Sequence, residues 1–141
     1  RVVSEPYYLA VNENNPLSKR SEISIYDLHD EDFIMYDAIV GKYSFELLSS
    51  LFLNSGVKPN YVQYVSQPSV FLGLVKASVG VALLASSSRE NLPHNVLFKN
   101  ILLPEWVRAD VFLATKKEPK NKLIPEVYNS IMEALYSAEK I

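Results

Sequence analysis

The stretch at 61–88, YVQYVSQPSVFLGLVKASVGVALLASSS, constrains the fold more than any other part of the chain. Tyr61, Val62, Tyr64 and Val65 are β-branched or aromatic, as a buried strand prefers. Pro68 fits the first turn of a helix, and Ser66 or Gln67 just ahead of it can accept from that helix's free N–H groups. Val70, Phe71, Leu74 and Val75 recur at helical spacing and predict a buried stripe. Gly80 lets the chain leave the helix, and VALL at 81–84 is too uniformly apolar for a sheet edge. Strand, helix and fully apolar strand make a βαβ crossover, so the expected class is α/β, with a mostly parallel sheet flanked by helices. Ligands of such sheets sit at the carboxyl ends of strands and the amino ends of helices. Here those points are 66–69 and 85–88.

The rest of the chain agrees with one α/β domain. PYYLAV at 6–11 and FIMY at 33–36 read as strands, with a turn at 12–20 and a short connector at 23–28 between them. A helix is expected at 43–55, with Phe45, Leu48, Leu51 and Phe52 on one face and Gly56 then Pro59 ending it. Strands are expected at 96–103 and 109–115. A last helix from Leu123 would carry Val127, Ile131, Leu135 and Ala138 on one stripe, with Pro125 tolerated in its first turn. At 141 residues the chain is large enough for a single core, and its net charge of −2 argues neither for disorder nor for a nucleic-acid surface. The absence of cysteine removes disulfides and thiolate metal sites and fits a cytoplasmic address. No apolar run approaches a membrane span, and RVVSEPYY lacks a signal peptide's apolar core. A first residue of Arg points to a piece of a longer chain.

Several clusters invite chemistry and read more simply as structure. His29, Asp30, Glu31 and Asp32 are consecutive, so they point in different directions, and no second cluster closes a metal shell. His94 reads as a turn residue. The serines at 86–88 lack a nucleophile elbow and a base, and four glycines hide no phosphate loop, so neither catalysis nor a cofactor is expected. Lys116, Lys117, Lys120 and Lys122 form a basic run with no aromatic platform, which reads as a solvated loop. The informative candidate is the helix start at 66–69, where free N–H groups, Gln67 and Ser69 could receive an anion and where residues 36–41 should lie nearby. Capping by Ser66 and Ser69 alone is the other reading of the same residues.

The quoted segments also carry a resemblance. The run YVQYVSQ…LGLVKASVGVALLASS resembles the second effector-binding subdomain of LysR-type transcriptional regulators, as do EPYYLAVNENNPLSKRSEISIYDLHDEDFIMY at 5–36 and ADVFLATKKEPKNKLIPEVYNSIMEAL at 109–135. The match covers most of the chain and rests on packing patterns. It departs from the family where Ser78-Val79 replaces a usual glycine and Ala85 a usual proline. The resemblance implies a type II periplasmic-binding-protein-like fold, with the second subdomain at about 12–108 and elements of the first at 1–11 and 109–141. The winged helix-turn-helix and the first subdomain's opening units would lie outside this chain, so DNA would be met only through another domain. It also implies a small-molecule effector, such as a carboxylate or aromatic acid, in the cleft between subdomains. The residues so implicated are Tyr36, Asp37, Ala38, Gly41, Ser66, Gln67, Pro68, Ser69, Ala85 and Ser86. A homo-oligomer is expected through the 43–55 helix, the 61–65 edge strand or the 123–141 helix, where Ile131 and Leu135 would be exposed. The rival reading is a solute- or substrate-binding module of the same two-lobed fold serving transport or an enzyme.

Overall fold

The computed structural model describes residues 1–114, 121 and 123–138. The four lysines of the basic run and the side chain of Ala138 lie outside the described residues. The chain forms two units, one of residues 5–109 and one of residues 1–4 and 110–141.

The larger unit is built on β1 (Val3–Asn12), β2 (Asp32–Tyr36), α1 (Lys42–Ser55), β3 (Asn60–Val65), α2 (Pro68–Lys76), β4 (Ala82–Ala85) and β5 (Val96–Lys99). Short 3-10 turns occupy Pro16–Lys19, Ile25–Leu28 and Ser86–Asn91. β2 and β3 pair in parallel, with Tyr36 opposite Val65, and α1 is the crossover between them. β4 instead pairs antiparallel with β1, which on its other side pairs antiparallel with β5. The sheet is therefore mixed, and its main part is antiparallel, against the mostly parallel sheet expected. An unbroken apolar run reports burial on both faces but not the direction of the neighbouring strand, and PYYLAV offered β4 as apolar a neighbour as any parallel strand. β2 pairs with the residue leading into β4 at a single parallel bridge, where the Ile34 N–H donates to Val81 and the Val81 N–H to Asp32, both at 2.8 Å.

Period-two alternation sends side chains to two cores. Leu9, Val11, Phe33, Met35, Val81 and Leu83 face one cluster with Leu48, Leu51 and Phe52 of α1. Ala10, Ile34, Ala82 and Leu84 face the other with Phe71, Leu72 and Val75 of α2. Helices thus cover both faces. Phe33 meets Phe52 edge-on with ring centroids 5.2 Å apart, the geometry aromatic quadrupoles favour. Buried Asn12 closes the end of α2, its Nδ2 donating to the Lys76 carbonyl at 2.8 Å.

Three local expectations are corrected. The buried face of α2 is Phe71, Leu72 and Val75, whereas Val70 is exposed and Leu74 only half-buried, because five of the six residues at 70–75 are apolar and the period alone leaves the phase open. The chain leaves that helix at Ser78, with φ of 60°, while Gly80 serves close packing. The strand expected at 96–103 stops at Lys99: Asn100 is a poor strand residue, and the Leu102 N–H turns away to the Ile23 carbonyl at 2.8 Å.

The smaller unit holds the beginning of β1, the end of β6 (Arg108–Val111) and α3 (Ile124–Ala138). β6 ends four residues short of the expected 115, with Phe112 and Leu113 exposed. The Val2 N–H donates to the Val111 carbonyl at 2.8 Å. Ile131 and Leu135 are half-buried, while Val127, Tyr128 and Tyr136 are the exposed large apolar residues of α3, with Leu123 just before it, so the exposed stripe is rotated from the one expected.

Candidate functional site

The carboxyl ends of β2, β3 and β4 define one end of the larger unit. Parallel register carries Asp37 and Ser66 off neighbouring strands together, and the Asp37 N–H still donates to the Val65 carbonyl at 2.9 Å. Tyr36 ties in β4: its hydroxyl donates to the Leu83 carbonyl at 3.2 Å and its ring lies 4.7 Å from that of Phe71. Burial, with a smaller contribution from Tyr7, pushes the Tyr36 hydroxyl far above the ordinary tyrosine range, so it remains a donor.

Beyond β2 the chain makes a tight turn through Asp37, Ala38 and Gly41. Asp37 Oδ1 accepts from the N–H groups of Ile39 and Val40, each at 2.9 Å, and these bonds hold its carboxyl below the ordinary value of 3.8. The Gly41 N–H donates back to the Asp37 carbonyl at 3.0 Å. A Cβ at position 41 would meet Tyr36 Cβ and the Asp37 oxygen at 3.1 Å, so glycine lets the turn close over the tyrosine.

Beyond β3, Gln67 stands at the N-cap of α2 and makes no side-chain capping bond. The Val70 and Phe71 N–H groups both go to the Gln67 carbonyl, at 3.1 and 3.2 Å, and Pro68 has none. Among the described residues the Ser66 and Ser69 hydroxyls make no hydrogen bond and both residues are exposed. The other reading of these residues, capping by Ser66 and Ser69, is therefore not what the hydroxyls do.

Beyond β4, Ala85 and Ser86 open the last 3-10 turn. Antiparallel register sets Tyr7 opposite Ala85, which brings Glu5 to this end of the sheet. Glu5 Oε2 accepts from Ser86 Oγ at 3.2 Å and from the Ser87 N–H at 2.9 Å. Ile39 and Val40 fall within 36–41 and Ser87 within 85–88, the ranges singled out from sequence; Glu5 does not. Glu5 could not have been singled out, because only the β1–β4 register puts it there.

The acidic run after the second 3-10 turn disperses. His29 Nδ1 accepts from the Lys58 N–H at 3.1 Å, Glu31 from Asn15 at 2.9 Å and Asp32 from Asn60 at 2.6 Å. Among the described residues no group of three or more His, Cys, Asp or Glu is placed to hold a metal ion, and no helix is long and apolar enough to cross a membrane.

Exposed hydroxyls, a half-buried tyrosine and a locked turn thus meet at the carboxyl ends of an α/β sheet covered on both faces by helices. Residues 1–134 match the family described as LysR substrate binding domain, and the chain belongs to that family. It is 30% identical over 129 residues to the HTH-type transcriptional regulator AlsR of Bacillus subtilis, covering 86% of this chain and 40% of that one. The effector binding domain of BenM with its effector benzoate superposes with a TM-score of 0.77 at 21% identity, over 99% of this chain and 63% of that one. The effector binding domain of QuiR in complex with shikimate gives 0.75 at 21% identity, over 96% and 64%. The chain thus spans well under half the length of the curated relative and about two thirds of a solved effector domain.

Proposed function

We propose that the chain senses a small-molecule effector at the carboxyl ends of β2, β3 and β4, as part of a LysR-type transcriptional regulator working in the cytoplasm. The observation that carries this is the pair of uncommitted hydroxyls, Ser66 and Ser69, exposed beside the locked Asp37 turn and the Tyr36 ring. Tyr36, Asp37, Ala38 and Gly41 form one border of the site, Ser66, Gln67, Pro68 and Ser69 the second, Ala85 and Ser86 the third. Benzoate and shikimate, bound by two relatives, support a monocarboxylate as the first ligand to try. In this reading residues 12–108 are the second effector subdomain, residues 1–11 and 109–141 belong to the first, and DNA is contacted through another domain. Ligand binding acts by biasing the arrangement of a homo-oligomer.

Amide NMR titration with small carboxylates is the test. Shifts centred on 66–69 and 36–41 are expected; shifts confined to other surfaces, with 66–69 silent, overturn the site. Gel-shift of the chain alone on operator DNA is expected to show no tight, salt-sensitive complex, since such binding needs clustered phosphate contacts.

A further inference from the structure

We propose that Glu5, Tyr43 and Ser44 relay effector binding from the borders of the site to the two strands on which the chain passes between its units. The inference rests on the effector reading above. The chain crosses between the units twice, at Ser4–Glu5 on β1 and at Ala109–Asp110 on β6, and these two strands pair with each other. The register of β1 with β4 begins at Tyr7 and that with β5 at Leu9, so neither ladder reaches Glu5. Its side chain does the joining there: Glu5 Oε2 accepts from Ser86 Oγ at 3.2 Å and from the Ser87 N–H at 2.9 Å. On the second strand, the Tyr43 hydroxyl donates to the Arg108 carbonyl at 3.0 Å, one residue short of Ala109. Ser44, next in the same helical turn, shares a 2.9 Å hydrogen bond with the Tyr7 hydroxyl. The first turn of α1 therefore braces both crossing strands.

Each of these bonds starts from a border of the site. Ser86 is itself part of the third border, and Glu5 takes hold of it directly. Tyr43 and Ser44 continue the first border. The Gly41 N–H donates to the Asp37 carbonyl at 3.0 Å, and the Gly41 carbonyl accepts the Phe45 N–H at 2.9 Å. The Asp37 turn and the first turn of α1 are thus one hydrogen-bonded piece. A ligand that displaces either border must break these side-chain bonds or carry the crossing strands along. Coupling needs a contiguous physical connection, and here one side chain spans each gap. A merely structural role makes a different forecast: losing the bonds would lower stability and leave the response of the strands to ligand intact.

Titrating the chain with benzoate and with shikimate, read by amide shifts at 66–69 and at the crossings, 2–4 and 109–111, tests this. In the unaltered chain both sets should move along one binding curve. The triple variant Glu5→Ala, Tyr43→Phe, Ser44→Ala should lose the response at 2–4 and 109–111 while 66–69 still titrates. Glu5→Gln alone keeps an acceptor for the Ser87 N–H and should keep the full response. A crossing response that survives in the triple variant would be carried by the β1–β4 ladder and overturns the relay. Crossing amides that stay silent in the unaltered chain while 66–69 moves also overturn it, and the effector site stands. Loss of the 66–69 response in the triple variant would make these side chains part of binding itself, which likewise overturns it. If neither compound moves 66–69 in the unaltered chain, the effector reading falls and this inference with it.

Discussion

A methyl group at position 80 would sit 2.7 Å from the Asp32 carbonyl oxygen, which is backbone and cannot swing aside. Gly80→Ala should therefore cost about 1–3 kcal/mol, seen as a lower urea midpoint. Gly73, in the exposed middle of α2, has nothing within 4 Å, and Gly73→Ala should stabilise by about 0.4–1 kcal/mol. Ser78 pays for a φ of 60°, so Ser78→Gly should gain up to about 1 kcal/mol. The three together separate close approach, helix entropy and left-handed strain, and none of those distinctions is visible in the letters GLVKASVG. Asp37 adds a pH effect. Its carboxyl is held below its ordinary 3.8 by the Val40 and Ile39 N–H groups, so the turn is favoured above that value and loosens as pH falls through the lower folded one. Protection of the amides at 39 and 40, relative to their intrinsic exchange, should be lost only in that acid range, and its persistence well below it would contradict the turn's geometry.

Most elements were legible because their signals were local. The helix at 43–55 announced itself through Leu48, Leu51 and Phe52, and Gly56 indeed takes the left-handed position after it, with φ of 69°. Strand direction was illegible, since antiparallel β1 and β4 bury both faces as a parallel pair would. The site followed suit: the borders on β2 and β3 were readable from a parallel crossover, while Glu5 depended on the unseen register. At the edge of β3, α1 and the following loop line an apolar groove of about 310 Å³ containing Phe52, Leu53, Val57, Pro59 and Tyr61, with Leu53 82% exposed. We expect self-association there, with Tyr64 and the unpaired side of β3 extending the surface. Sedimentation at low micromolar concentration should give a dimer or higher oligomer, and Leu53→Lys should return the chain to monomer. Survival of the oligomer in that variant, with loss in Val127→Lys, would transfer the contact to α3.

Burial is unequally divided over the molecule. Every buried hydrophobic residue among those described lies between Tyr7 and Val107, so the unit holding α3 has none among its described residues. A 15-residue helix without a core is marginal in water. Hydrogen exchange should find α3 opening near the rate of a free helix, while β1 and β4 exchange only through global unfolding. Protection of α3 equal to that of β4 would mean that self-association supplies the missing cover.

The seam between β2 and β4 gives the larger unit a mechanical character. Two backbone bonds at Val81 act as rivets at one end, and a lone phenol, Tyr36 on Leu83, is the latch at the other. Two plates fastened this way splay about the riveted end and keep their own weave intact. Tyr36→Phe removes the latch, so backbone chemical shifts at 83–85 should move while the amides at 34 and 81 stay slow to exchange. A molecule wedged at the latched end would push the plates apart along the one line where the sheet has almost no stitching.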